Sequence, residues 1–234
     1  MTANSIPTNP ESSVNSQGGR LFVFVITYGR SGSTVLMRLL NTLDGYHIKG
    51  ENWNTLLPLY RSFRNLNSAH SIHGDEGVRS DGPWWGVDKV NPDRFARRLV
   101  DTFVEEVIQP PEDARVLGFK EVRYFQCFSE LEPFIAFMRR FCSPCKFVFN
   151  SRPADAVMKS GWWANMNKEK VRQRIHDMDA YFADYAKANG DHAIHLDYEH
   201  WSRDINEIRR LVKFLEEPFD EILVRQIMGE HLRH

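Results

Sequence analysis

Short, continuous apolar runs alternate with longer segments in which apolar residues recur every three or four positions. The short runs at residues 21–27, 115–119, 146–150 and 192–196 are rich in β-branched and aromatic residues, which predicts strands buried on both faces. Helical spacing predicts helices at residues 33–44, 53–66, 93–108, 129–141, 168–188, 205–215 and 219–228. Strands that alternate with helices indicate an α/β fold with a parallel sheet, and such sheets bind ligands at the carboxyl ends of their strands.

Two segments lack any such periodicity. Residues 1–20 are rich in Ser, Asn, Pro and Gly and contain no apolar run, so we expect a disordered N-terminal tail. Residues 67–83 are polar and contain Gly and His, and we expect a mobile surface loop there. Residues 21–234 are enough for one sizeable hydrophobic core, and we interpret them as a single domain.

The charges and cysteines narrow the class of protein. The 30 Lys and Arg residues nearly cancel the 31 Asp and Glu residues, so the composition does not indicate a nucleic-acid or membrane binder. The apolar run at residues 21–26 is too short to span a bilayer, and no signal-peptide core precedes it. We therefore expect no membrane span. Three cysteines cannot form a complete disulfide framework, which agrees with a reducing compartment, so we expect a cytoplasmic protein.

Residues 27–36, TYGRSGSTVL, stand where the first predicted strand gives way to the first predicted helix. Gly29 and Gly32 permit a tight backbone path, and the N–H groups of a helix N-terminus favour an anion. The side chains of the loop add one permanent cation and three hydroxyl donors: Arg30, Ser31, Ser33 and Thr34. Because the spacing and the lysine of G-x-x-x-x-G-K-[ST] are missing, an ordinary ATP or GTP site is disfavoured.

The segment TYGRSGSTVL resembles the 5'-phosphosulfate loop of the sulfotransferase family. Residues 147–163, FVFNSRPADAVMKSGWW, resemble the family's 3'-phosphate segment, in which an arginine and a serine eight residues later match Arg152 and Ser160. The resemblance implies a three-layer, P-loop NTPase-like α/β fold with helices flanking the sheet. It implies PAPS (3'-phosphoadenosine-5'-phosphosulfate) as donor and PAP as product. The residues expected to bind the nucleotide are Gly29, Arg30, Ser31, Gly32, Ser33, Thr34, Arg152 and Ser160.

Two residues are candidates for catalysis. Arg30 is placed to stabilise charge on the leaving oxygen, and Glu51, shortly after the first helix, is our candidate for the base that takes the acceptor's proton. The histidines His47, His70 and His73 are competing candidates for the base. The chemistry requires no metal, and we do not expect zinc at the isolated H-x-x-H pairs, residues 70–73 and 231–234.

Several features stay open on the sequence alone. Lys120 and Glu121, in a segment that resembles a central strand of the family, form either a structural ion pair or part of the site. The tryptophans at residues 84, 85, 162 and 163 are either core residues or stacking surfaces for a ligand. A nucleotide kinase and a non-catalytic nucleotide-binding protein are the alternatives to a sulfotransferase. The acceptor, whether a small molecule, a carbohydrate or a peptide, and the oligomeric state are not predicted.

Overall fold

The computed structural model describes residues 19–159 and 161–231, and within them five parallel strands form one sheet. The strands are β1 (Leu21–Ile26), β2 (Tyr46–Lys49), β3 (Val116–Glu121), β4 (Cys145–Ser151) and β5 (Ala193–Asp197). Their order across the sheet is β2-β3-β1-β4-β5, which places β1 at the centre. The predicted parallel α/β fold is therefore confirmed. Of the predicted disordered tail, residues 1–18 lie outside the described residues.

Helices cover both faces of the sheet. They are α1 (Ser33–Leu40), α2 (Leu56–His73), α3 (Pro92–Phe103), α4 (Leu131–Phe141), α5 (Ala154–Val157), α6 (Lys168–Ala188), α7 (Tyr198–Trp201), α8 (Ile205–Phe214) and α9 (Glu221–His231). The larger apolar core lies between one face and α2, α3, α4 and α6, and the smaller core lies between the other face and α1, α8 and α9. No helix in the described ranges is both long enough and apolar enough to cross a membrane.

Alternate residues of β1 enter the two cores. Phe22 and Phe24 pack into the larger core, whereas Val23 and Val25 pack into the smaller one. Full burial of each such side chain stabilises the fold by about 1.5–3 kcal/mol. The unbroken apolar sequence of β1 thus follows from its central position, where neither face meets water.

Strand β2 was missing from the sequence-based prediction, and helix α1 is shorter than predicted. The helix ends at Leu40, not at residue 44, because the side chain of Asn41 pairs with the backbone of a later residue. Asn41 Nδ2 donates to the Ile48 carbonyl at 2.9 Å, and Ile48 N–H donates to Asn41 Oδ1 at 2.8 Å. This pair of hydrogen bonds turns the chain back, so that residues 46–49 add to the edge of the sheet beside β3.

The prediction of a mobile loop at residues 67–83 is wrong over the first half of that segment. Helix α2 continues to His73, and a short 3₁₀ turn follows at Gly74–Glu76. Beyond Phe63 the side chains of this helix are exposed or only half-buried, so apolar residues do not recur there at helical spacing. A helix end that is polar on all sides leaves no hydrophobic periodicity in the sequence, which is why the pattern resembled a loop.

The order of the strands decides where a ligand can bind. After β1 the chain moves to the β2 and β3 side, and after β3 it crosses to the β4 and β5 side. The connections that leave the carboxyl end of β1 and of its neighbours therefore diverge and leave a crevice there.

Candidate active site

A cavity of about 660 Å³ opens at the carboxyl ends of the strands. Its volume is within the range of about 300–1,000 Å³ that is usual for small-molecule sites. Residues at the carboxyl end of β3 and in the segments that follow all five strands of the described sheet line it: Gly29, Arg30, Gly32, Ser33, Thr34, Val35, Glu51, Trp53, Lys120, Val122, Arg123, Phe125, Gln126, Arg152, Gly161, Trp162 and Tyr198. The cavity thus brings together segments that are far apart in sequence.

The loop between β1 and α1 follows a tight path against the cavity. Arg30 and Gly32 both have left-handed backbone conformations, with φ of 69° and 79°. A Cβ atom on Gly32 would lie 2.1 Å from Tyr198 Cδ2, so only glycine fits beneath that ring. Helix α1 begins directly after Gly32, and its first N–H groups have no partner within the helix. Its N-terminus is therefore suited to bind an anion in the cavity.

Buried hydrogen bonds fix the underside of this loop. Ser31 Oγ lies 2.7 Å from Thr27 Oγ1, and Asn150 Nδ2 donates to the Ser31 carbonyl at 2.9 Å. Trp201 Nε1 in turn donates to Asn150 Oδ1 at 2.8 Å. The Ser31 hydroxyl consequently points into the protein and does not line the cavity, whereas Ser33 and Thr34 do.

Arg152 leaves β4 and reaches the same loop. Its Nη1 donates to the Arg30 carbonyl at 3.1 Å, and its Nε donates to Glu199 Oε1 at 3.4 Å. The guanidinium also lies 4.4 Å from the centre of the Tyr198 ring. The two sequence segments that we singled out as anion-binding are therefore adjacent in space. Ser160, the other predicted residue of the second segment, lies outside the described residues.

Tyr28 joins these two segments beneath the cavity. Its hydroxyl accepts a hydrogen bond from Arg152 N–H at 2.7 Å and lies 2.8 Å from both the Arg152 carbonyl and Asp179 Oδ1. Burial, with the nearby charge of Asp197, raises the pKa of Asp179 to about 7 against the lowering effect of the Tyr28 hydrogen bond. When Asp179 is protonated it can donate to the Tyr28 oxygen, which frees the Tyr28 proton for the Arg152 carbonyl.

Glu51 reaches the cavity between two cations. Lys120 Nζ donates to Glu51 Oε1 at 2.7 Å, and Arg123 Nη1 donates to Glu51 Oε2 at 2.9 Å. Burial raises the pKa of the Glu51 carboxyl, but the hydrogen bonds and charges of Lys120 and Arg123 outweigh burial and hold that pKa below its usual value. Because a carboxylate oxygen accepts along two lone-pair directions, each oxygen can still accept another donor.

A second carboxylate, Glu121, holds the turn that carries Glu51. It is fully buried, and its Oε2 accepts from the backbone N–H groups of Asn52 and Asn54 at 3.1 and 2.9 Å. Its Oε1 accepts from Arg123 N–H at 3.1 Å and from Arg123 Nη1 at 3.2 Å. Glu121 therefore fixes the turn after β2 to the end of β3, and Lys120, beside it, contributes its ammonium to the cavity.

A family model described as the sulfotransferase family matches residues 23–221, which is most of the chain. The chain belongs to the sulfotransferase family. Among solved structures, a sulfotransferase domain from the Synechococcus PCC 7002 olefin synthase is similar with a TM-score of 0.51 and 16% sequence identity, over 86% of this chain and 74% of that chain. A sulfotransferase domain from the curacin biosynthetic pathway gives a TM-score of 0.45 and 14% identity, over 85% and 75% of the two chains. No curated protein matches the sequence significantly.

The family resemblance and the predicted P-loop NTPase-like fold are thus confirmed, and the family supports sulfuryl transfer in general. Within the described residues, the chain brings its predicted nucleotide loop, Arg152 and Glu51 to one cavity. The competing bases lie elsewhere. His47 Nε2 contacts the Ile108 carbonyl, His70 Nδ1 contacts the Val87 carbonyl, and none of the three histidines lines the cavity. The described residues contain no group of three potential metal ligands.

Sequence reasoning missed several residues that line this cavity. Arg123 and Tyr198 stand in segments that resembled the family, but nothing in their spacing marked them as site residues. Of the four tryptophans that we considered, Trp84 and Trp85 are exposed and do not line the cavity. Trp162 lines the cavity, whereas Trp163 is buried and donates from Nε1 to the Gly29 carbonyl at 3.0 Å.

The half-buried side chain of Asp179 predicts a pH dependence of the protein's stability. Its folded-state pKa of about 7 exceeds the ordinary value of about 3.9, so the unfolded chain releases this proton first. The contribution of Asp179 to stability therefore falls as pH rises from about 4 to about 7. Asp179→Asn, which stays neutral, should gain stability relative to wild type over that range, as measured by urea unfolding at pH 5 and pH 8.

The matched control is Asp155→Asn, at an aspartate whose side chain is 76% exposed. The free energy of unfolding of this control should differ from that of wild type by the same amount at pH 5 and at pH 8. If the free energies of unfolding of wild type and Asp179→Asn change with pH in parallel, then ionisation of Asp179 does not destabilise the folded protein.

Proposed function

We propose that this protein transfers a sulfuryl group from PAPS to a hydroxyl or amine acceptor and releases PAP. The observation that carries the proposal is the contact between its two anion-binding segments, in which Arg152 Nη1 donates to the Arg30 carbonyl at 3.1 Å. A nucleotide with phosphate groups at both its 5' and 3' positions needs two such sites within one cavity. The family, whose general chemistry is sulfuryl transfer, supports the same conclusion.

The donor's two anionic ends have different partners in this proposal. The 5'-phosphosulfate lies on the loop that begins at Gly29, where the α1 N-terminus, Ser33 and Thr34 supply donors. The 3'-phosphate lies on Arg152, whose planar guanidinium binds phosphate oxygens in pairs. Ser31 supports the loop from within, because its hydroxyl contacts Thr27. Ser160 remains a proposed partner of the 3'-phosphate.

The proposed reaction is an in-line displacement at sulfur. The acceptor oxygen forms a bond to sulfur, the bond between sulfur and the bridging oxygen of PAPS breaks, and PAP leaves with that electron pair. Arg30 lines the cavity and stabilises the charge that develops on the bridging oxygen. Glu51 takes the acceptor's proton, and Lys120 and Arg123 keep its carboxylate ionised and oriented.

Free cysteines support a reducing location. Cys127, Cys142 and Cys145 are all unbonded, and burial raises the pKa of Cys142 and of Cys145. Buried thiols with raised pKa values are poor nucleophiles and do not compete for the reaction. We therefore retain a cytoplasmic location as part of the proposal, with a small-molecule, carbohydrate or peptide acceptor.

The first experiment is calorimetric titration of PAP into wild type and Arg152→Ala in magnesium-free buffer. We expect wild type to bind PAP and the variant to bind about 10- to 150-fold more weakly, since hydrogen bonds to a charged group contribute about 1.5–3 kcal/mol. The backbone N–H of residue 152, which contacts Tyr28, is retained in the variant.

Two controls make the titration specific. Arg225→Ala removes an exposed arginine of α9 that pairs with Glu221, and it should leave PAP affinity unchanged. ATP, titrated with and without magnesium, tests the kinase alternative. Binding of ATP with magnesium and no binding of PAP would overturn the sulfotransferase proposal in favour of phosphoryl transfer.

A further inference from the structure

The strand order separates a donor side of the cavity from an acceptor side. The residues proposed to hold the nucleotide follow β1 and β4, and Tyr198, after β5, contacts both of them. The residues that follow β2 and β3 line the opposite side of the same cavity. Because the acceptor must attack sulfur from the side opposite the leaving PAP, it approaches over the ends of β2 and β3. This inference rests on the proposed function.

Aromatic rings border the acceptor side. The Trp53 side chain lines the cavity although it is 76% exposed. Phe125 lines the cavity after β3, and its ring centre lies 5.1 Å from that of Trp162. Large exposed aromatic surfaces at a cavity are typical of sites where a flat, apolar ligand binds.

Trp53 is held in place by strong local interactions. Trp53 and Asn54 have left-handed backbones, with φ of 59° and 55°, which residues with side chains adopt only at a cost. The buried Glu121 carboxylate binds the N–H groups on either side of Trp53 and so stabilises this turn. The Arg123 guanidinium covers one part of the indole, 3.9 Å from its centre. The turn therefore presents a preformed indole surface to the cavity.

The proposed base on this side suits an acidic hydroxyl. Lys120 and Arg123 each hold one oxygen of Glu51, so its pKa is lowered and it is a weak proton acceptor. A phenol, with a pKa of about 10, gives up a proton far more readily than an aliphatic alcohol, which is about as weakly acidic as water. The same two cations stabilise the negative charge that develops on a phenolic oxygen.

We propose that the acceptor is a phenol, whose aromatic ring stacks on Trp53 and whose hydroxyl donates to the Glu51 carboxylate on the cavity side. The phenolic oxygen forms the new bond to sulfur, its proton passes to the Glu51 carboxylate, and PAP departs with the electrons of the broken sulfur–oxygen bond. A free small phenol and a tyrosine side chain share this chemistry.

The test compares two acceptors of similar shape, 2-naphthol and its saturated counterpart decahydro-2-naphthol, with radiolabelled PAPS as donor. We expect kcat/KM to be at least about 100-fold higher for 2-naphthol, because proton removal from the phenol is the easier step for a weak base. A tyrosine-containing peptide, assayed in parallel, distinguishes a peptide acceptor from a small molecule.

A variant of the indole tests where the ring binds. Trp53→Ala should raise KM for 2-naphthol about 2- to 12-fold, which is the contribution of one aromatic pair, and leave PAP affinity unchanged. The matched control is Trp85→Ala, which removes another exposed tryptophan that does not line the cavity. The Trp85→Ala variant should have the same KM for 2-naphthol and the same PAP affinity as wild type.

The possible outcomes distinguish a failure of the phenol inference from a failure of the proposed PAPS donor. If wild type binds PAP but sulfates the saturated alcohol as well as 2-naphthol, or sulfates neither, the phenol inference is wrong and the donor proposal stands. If Trp53→Ala weakens PAP binding as much as acceptor binding, the indole belongs to the nucleotide site, which also overturns the inference. If PAP does not bind to wild type, the proposed function itself fails.

Discussion

Replacing Glu51 with glutamine is expected to lower the rate of sulfuryl transfer by about two to four orders of magnitude, the usual contribution of a general base. Glutamine keeps the length of the side chain and an oxygen that accepts from Lys120, but it cannot take a proton. Because Glu51 lies on the acceptor side, PAP affinity should remain nearly unchanged. Steady-state kinetics with PAPS, together with calorimetry of PAP, measures both quantities.

The environment of Glu51 requires a control for folding. Lys120 is 4% exposed, so loss of the carboxylate charge leaves a buried ammonium with a weaker partner, and the variant should melt at a lower temperature. Glu51→Asp, which keeps the charge, should recover part of the stability yet transfer slowly, because its shorter side chain no longer reaches the acceptor. Unchanged turnover of a folded Glu51→Gln variant would remove Glu51 from the mechanism.

Replacing Gly118 with alanine is expected to destabilise the fold by about 4 kcal/mol or more, which is the upper end of single substitutions. Gly118 lies in β3 opposite Val23 of β1, and a Cβ atom there would lie 1.7 Å from the Val23 carbonyl oxygen. Since both partners are backbone atoms of paired strands, no side-chain rotation relieves the contact. Strands β1 and β3 must move apart to admit the methyl group, and urea unfolding of the purified variant would measure the loss of stability.

The matched control is Gly74→Ala, because no atom lies within 4 Å of the Cβ position at Gly74 and its φ is −53°. An alanine is compatible with that conformation and should leave the stability unchanged or slightly higher. If Gly118→Ala unfolds at the same urea concentration as wild type, then the β1 and β3 backbones are farther apart than described.

The elements that were predicted well are those whose apolar pattern is determined by burial. The predicted helix at residues 168–188 has the same bounds as α6, and each of the four predicted strands overlaps an observed one. Their side chains face a core on one or both sides, so the sequence carries the period of the structure. Strand β2, at four residues, and the polar end of α2 bury too little to leave that signal.

The sequence by itself determined the parallel α/β fold, the loop from Gly29 to Thr34 at the first strand–helix junction, and the candidacy of Arg152 and Glu51. These follow from local patterns, because a buried strand, a glycine turn and a helix start are encoded by neighbouring residues. Only the tertiary structure decided that Ser31 faces inward, that Tyr28 joins the loop to Arg152, and that two cations hold Glu51. The physical reason is that these contacts join residues on different strands, whose proximity depends on strand order and register and not on spacing along the chain.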